Sequence, residues 1–568
     1  MDIEQTETFR KWMEKFKASQ DYCRPFFDKG EENYLLYKSY KKGGGKVYSH
    51  DIFVPYTFAY MEDNAAYFML SIMASPQVYS IGRRYTGVTN ELCLACEAVV
   101  NWVITEESTE FALELEELIK NANIFNAAYL VNYPIVKEQR NQDKIQNYFE
   151  RLQLDSPSPL DIFPEPGVKR LSRANWVIKR SREDWDILKK WEKDGTYKNV
   201  EAARGGTTGG EEDPVLKMLS EIGLASTGNW AYDSKTNKVE LLDCMTGGDV
   251  ITIAGRRAII RDTTKDEVRP FLFDYPILDC RFEGAPGEFF GVGKAESMKP
   301  TQQELNTLRS QRRDNISLLL NKLFVYDILA GEVDLNTLFS APGNVIVTTN
   351  RQALDELPMS DVTSSSYKEE ESLLYDLQNI TSMWDYARGG TPRRRETATG
   401  IVRLQQAAQS RNEWQLKKLD YYILTPLARR ILVYVRESMP QEDFLSIIGE
   451  DNVEIADEFY ALTPEDIRRY FKFMPMTESI VSLKEVDMNQ FLQAFDRMIQ
   501  MPEVNRAALM KQLLLKLGQK DIKEILPMLS EAGADAAMQT MNQMPPQGQP
   551  GAPPGPPGPQ APPGGGNQ

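Results

Sequence analysis

The stretch from Gly287 to Asp327, GEFFGVGKAESMKPTQQELNTLRSQRRDNISLLLNKLFVYD, limits the possible fold more than any other. It opens as an aromatic, glycine-punctuated turn and becomes a long helix with no Gly or Pro after Pro300. From Pro300 to Asn315 its only large apolar side chains are Leu305 and Leu308, and RSQRRDN is polar on every face. From Ile316 onward, Ile316, Leu319, Leu320 and Leu323 recur at helical spacing and make an apolar stripe. A helix polar all round persists only with neighbours or as a bridge between packed regions. The segment therefore reads as a strut.

The rest of the chain is long enough for several cores, since 568 residues exceed the usual size of one domain. With 66 basic against 82 acidic residues the net charge is −16, which excludes a DNA reader that works through one broad basic surface. Cys23, Cys93, Cys96, Cys244 and Cys280 are too few and scattered for a disulfide framework, which points to a reducing compartment. Cys93 and Cys96 form a C-x-x-C inside a helical pattern, with no second pair to complete a zinc site, so they read as helix packing. The single histidine, His50, removes histidine-rich metal sites and reads as a turn or edge residue. The opening MDIEQTETFRKWMEKF reads as a charged amphipathic helix and not a secretory leader. The charge-free run from Asn64 to Gly82 is too interrupted by polar residues to span a membrane.

In chain order, the first 130 or so residues read as helical, with Thr89 or Asn90 capping a long helix that continues through Phe111 and Ile119. Prolines between 131 and 166 imply extended connections, with Leu160–Pro164 entering a sheet. Residues 204–213, RGGTTGGEED, form a glycine-rich loop. Between Asn229 and Phe289 alternating segments at Val239, Val250, Arg257 and Phe271 predict a small antiparallel sheet or barrel. Past the strut, Gly343–Thr349 is the clearest strand and Lys368–Arg388 is helical. A long helix from Glu396 to Met439 contains Pro426, which removes one backbone bond and kinks the axis. Residues 450–475 read as a β return, and Val486–Leu517 as two amphipathic helices. The Pro/Gly-rich end reads as disordered. The fold class expected is α+β, mainly helical.

Two motifs invite chemistry. Gly291-Val-Gly293-Lys294 approaches a phosphate-binding loop, but G-x-x-x-x-G-K-[ST] would need glycine where Glu288 stands and a hydroxyl where Ala295 stands. The glycines read instead as a turn that lets the chain enter the helix. Arg393, Arg394 and Arg395, with Thr391 in the same glycine-flanked loop, form the one dense basic cluster, suited to phosphate contact without sequence reading. No nucleophile, base and oxyanion donor assemble from spacing, and no cofactor is expected.

The order of parts resembles a tailed-bacteriophage portal protein, the head-to-tail connector. Phe289-Phe-Gly-Val-Gly293 followed by Gln302, Gln303, Asn306, Arg309 and Asp314-Asn315 is similar to the turn and helix leading from portal wing to stem. The resemblance implies a wing over 1–298, β-rich at 229–289, and a first stem helix over 299–323. It further implies a clip over 324–366, a second stem helix over 367–388 and a tunnel loop over 389–400. A kinked long helix and wing return over 401–476, a helical crown over 477–535 and a disordered tail over 536–568 complete it. It implies a homo-oligomeric ring of twelve copies at a capsid vertex, assembled in the host cytoplasm and carried in the virion. Double-stranded DNA would pass through without sequence specificity, and the large terminase, adaptor and tail proteins, major capsid protein and scaffold would dock; no membrane is involved. Within it Gln302, Asn306, Arg309, Arg312, Arg313 and Asp314 would pack the stem ring, and Thr391 with Arg393–Arg395 would face DNA. Two other readings stand beside it: a phage structural scaffold without a channel, and a packaging enzyme.

Overall fold

Helix α1 (Ile3–Tyr37) forms because Trp12, Phe16, Cys23 and Phe27 recur on one face, and that face is buried. It runs well past the opening sixteen residues and carries Pro25 in its interior. The computed structural model describes residues 3–40, 50–141, 144–203, 232–233, 237–264, 266, 270–320, 324–337, 345, 347–356, 363–382 and 410–477. These all fall within one unit, Met1–Ser479. The glycine-rich loop at 204–213, the tunnel loop, the crown beyond Thr477 and the Pro/Gly tail lie outside the described residues.

Helix α2 (Tyr56–Ile72) is followed by strand β1 (Tyr79–Arg83), which the helical reading of this region missed. Thr89 caps α3 (Asn90–Thr105), its hydroxyl accepting the Leu92 N–H. The expected long helix is two helices, because Glu110 takes a left-handed conformation (φ 50°) before α4 (Phe111–Phe125). Cys93 and Cys96 line the main core, and burial pushes the Cys93 thiol up to about 11. The proline-rich stretch is no connection: β2 (Ala128–Asn141) and β3 (Lys144–Asp155) make a long hairpin that tolerates Pro134 beside a register shift at Ile135/Val136.

A second sheet is built from β4 (Ile162–Pro164), β5 (Val177–Asp184), β6 (Tyr232–Asp233), β7 (Lys238–Thr246), β8 (Asp249–Ala254) and β9 (Ala258–Asp262), all antiparallel. It is an open sheet, not a barrel, and helix α5 (Trp185–Lys193) follows β5. Phe271–Phe273 forms no strand; β10 (Ile277–Cys280) follows instead and pairs with β2. Next come the strut helix α6 (Lys294–Leu320), a small insert in which β11 (Phe324–Tyr326) pairs with β12 (Leu354–Glu356), and α7 (Thr363–Thr381). The long helix α8 is described over 410–438. Residues 450–470 are helical and not a β return: α9 (Gln441–Ile448), α10 (Val453–Ala461) and α11 (Pro464–Tyr470) precede β13 (Phe471–Pro475). A capping box, Thr463 with Asp466, starts α11 inside the stretch read as a β return. β13 then pairs antiparallel with β1, bringing together segments nearly 400 residues apart in sequence (Tyr79 opposite Pro475). The architecture is α+β, mainly helical, with small antiparallel sheets. Among the described residues no helix is long and apolar enough to cross a membrane.

Candidate functional site

The polar half of α6 is polar for a reason that lies elsewhere in the chain. Gln302, Asn306, Ser310 and Asp314 recur every fourth residue, so they stand one above another on a single face, and the first three are buried. Backbone amides of the segment 50–57 run down this face. The His50 N–H donates to Asp314 Oδ1 (3.0 Å), Ile52 N–H to Ser310 Oγ (3.1 Å), Val54 N–H to Asn306 Oδ1 (3.1 Å) and Thr57 N–H to Gln302 Oε1 (3.3 Å). Gln302 Nε2 answers by donating to the Val54 carbonyl (2.7 Å) and to Asn306 Oδ1 (3.0 Å). From His50 to Val54 the spacing works because two residues of drawn-out chain cover about 6.6 Å and four residues of helix about 6 Å; the last rung, Val54 to Thr57, takes three residues as the chain turns into α2. Side chains thus stand in for a neighbouring strand. His50 closes the ladder, its Nδ1 2.7 Å from Asp314 Oδ1.

The adjacent face carries the charge. Arg309 Nε donates to Glu370 Oε1 on α7 (2.7 Å), Arg312 reaches Oε2 (2.6 Å), and Arg309 Nη2 also donates to the Tyr56 hydroxyl (3.0 Å). The Arg312 guanidinium lies 4.2 Å from the Tyr367 ring centre. Burial alone would push the Glu370 carboxyl up; the hydrogen bonds and charges of Arg309 and Arg312 outweigh it and hold it below the usual carboxylate range. Below the pair, Met298 and Leu305 share a small core with Leu373 and Leu377. Early α6 therefore meets late α7 and late α6 meets early α7, so the two helices run antiparallel. Arg313 is exposed. The apolar stripe does not pack as a stripe: Ile316 and Leu319 are half-buried and Leu320 is 71% exposed, while Leu323 lies outside the described residues. Beyond it the insert exposes Val325, Ile328, Leu335, Val345 and Leu329, the last at 97%. Thr391, Arg393, Arg394 and Arg395 lie outside the described residues.

At its other end α6 starts inside the protein, at Lys294, so Pro300 stands within the helix. The glycines before it serve close approach rather than an unusual backbone. A Cβ at Gly291 would lie 2.0 Å from the Glu283 carbonyl oxygen and 2.2 Å from Asn126 Nδ2; one at Gly293 would lie 3.0 Å from the Ile124 oxygen. Asn126, left-handed at the end of α4 (φ 52°), clamps that loop, donating to the Glu283 carbonyl (2.8 Å) and accepting its N–H (3.1 Å). Lys294 is buried, its Nζ 3.4 Å from Asn412 Oδ1 at the described start of α8. Asn64 and Asn123 extend this network. Burial lowers the Lys294 ammonium to about 7, Glu283 pulling the other way. It faces the core and holds no phosphate loop.

The proline of α8 is handled by a π-helical turn. Asp420–Leu424 immediately precedes Pro426, and the Thr425 N–H reaches back five residues to the Asp420 carbonyl. The Tyr79 hydroxyl donates to the Leu424 carbonyl (2.9 Å). Burial pushes the Asp420 carboxyl up to about 7, with Lys417 opposing. Such turns recur at functional positions, and this one faces a cleft of about 840 Å³ between α8, the loop at 169–172 and the segment 273–288. Six basic side chains (Lys169, Arg170, Arg281, Lys418, Arg429, Arg430) line it against three acidic ones (Asp274, Asp279, Glu288). The residue reading singled out Pro426 but none of these charges, which are spread over three segments.

No protein-family model matches the chain, and no curated protein matches it.

Proposed function

We propose that the chain is the subunit of a tailed-phage portal: a ring at one capsid vertex through which the genome enters and leaves. The packaging terminase and the tail or adaptor proteins would dock on it. One observation carries this reading. The antiparallel pair α6–α7 is held by its own core and by the Arg309–Glu370–Arg312 cluster, yet its far end and the β11–β12 insert present Leu320, Ile328, Leu329 and Leu335 with no cover among the described residues. An apolar surface of that kind marks a protein contact, and in a ring the contact is the neighbouring copy. The net charge of −16, repeated around a channel, repels DNA from the walls, while Thr391 and Arg393–Arg395, the basic cluster of the sequence, meet its phosphates. Negative-stain images of the purified chain are expected to show hollow rings; a monomer or a filament overturns the reading. Replacing Arg393, Arg394 and Arg395 by Ala is expected to slow DNA packaging, and unchanged packaging removes the DNA-contact role of that loop.

A further inference from the structure

We propose that the cleft over the π turn binds a phosphate-bearing ligand, either a nucleotide or a short run of single-stranded nucleic acid. Arg429 and Arg170 would meet the phosphates and Tyr421 would stack on the base. This goes beyond the channel reading and concerns a site within one chain.

Three observations carry it. In a chain with a surplus of acids, this cleft reverses the sign, with twice as many basic as acidic side chains on its walls. A local field of this kind concentrates anions. Next, Arg429 lines the cleft without an ion-pair partner among the described residues, and its buried Nε has no hydrogen-bond acceptor. An orphaned guanidinium donor costs stability unless something fills it, and a phosphate oxygen is the acceptor a planar fork fits best.

Its surroundings sharpen the point. The Arg84 N–H donates to the Tyr470 carbonyl (2.7 Å), which brings it to the end of α11, and Arg468 lies in the last turn of the same helix, packed on α8. Burial and then the like charges of Arg468 and Arg84 press the Arg429 guanidinium below its ordinary value. Finally, Tyr421 lines the same cleft 71% exposed, its ring set edge-on to Tyr422 (centroids 5.0 Å apart). An aromatic face beside guanidinium groups is the arrangement that holds an unpaired base. The volume falls in the range of small-ligand sites.

The test is titration calorimetry of the full-length chain with inorganic pyrophosphate, ADP and a short oligothymidylate, at low and high salt. Binding of at least one probe, weakened by salt, is expected. ADP without the oligonucleotide identifies a free nucleotide as the ligand, and the reverse identifies a nucleic-acid strand; either supports the site. Arg429→Gln is expected to lower affinity about tenfold or more, the loss of one charged hydrogen bond. Arg170→Gln, at an exposed position, should lower it severalfold. No binding by any probe overturns the proposal, as does unchanged affinity in both variants. Equal competition by a glutamate-rich peptide overturns the assignment to phosphate.

Discussion

Lys294 and Asp420 carry opposite charges and both titrate near neutrality, which gives the fold a measurable pH signature. The Asp420 carboxyl keeps its proton up to about 7 in the fold, whereas an unfolded aspartate ionises near about 4. Between those values the folded state holds the extra proton, so the stability this group confers is full below about 4 and is lost as pH rises to 7. Lys294 does the opposite: the fold releases its proton near 7 and the unfolded chain keeps it to about 10.4. Its penalty is full below 7 and fades as pH rises to about 10. Each slope is at most about 1.4 kcal/mol per pH unit. Denaturant midpoints are expected to show that Asp420→Asn removes a fall on the acid side and Lys294→Met a rise on the alkaline side. Differences from the parent chain that do not vary with pH would contradict both assignments. Neither shift was legible in the sequence, because burial of one residue is decided by elements far away. Gly291 is similar: the sequence marks a glycine, and only the Glu283 carbonyl beside it says why.

At the scale of elements, α6 was legible as a helix and its meaning was not. Its polarity called for neighbours or a bridging role; the structure turns one polar face into a row of acceptors for the backbone at 50–57. The signal was present, since acceptor side chains at 302, 306, 310 and 314 keep a strict period of four. What the period cannot reveal is the partner, a segment with no pattern of its own. Asn306→Leu is expected to cost about 1–3 kcal/mol for each orphaned donor, those of Val54 and Gln302, read as a lowered denaturation midpoint. Glu304→Ala on the exposed side should change little. The same limit explains the missed pairing of β1 with β13, two five-residue strands whose contact spans almost the whole unit. The β reading of 450–475 overlooked a local cue, the Thr463–Asp466 capping box.

For the whole molecule, helices α6 and α7 and the sheet between 238 and 262 were legible from periodicity, while the hairpin at 128–155 was hidden by its prolines and helices α10 and α11 were read as a β return. The uncovered end of α6–α7 leads to the prediction that belongs at this scale. Leu320→Glu combined with Leu329→Glu is expected to leave the far-ultraviolet circular dichroism unchanged and to break assemblies into single chains by sedimentation velocity. Assemblies that persist would place the contact elsewhere. The ladder on α6 has one more consequence, in time rather than space. Its two sides are separated by up to 264 residues. At roughly 5–20 residues per second of synthesis, the amides at 50–57 emerge roughly 13–53 s before the last of their acceptors. Until then α1 and α2 have no strut to settle on. A pause in translation before residue 314 is expected to lengthen the time for which this face of the amino-terminal helices stays open, read as greater protease sensitivity of the nascent chain.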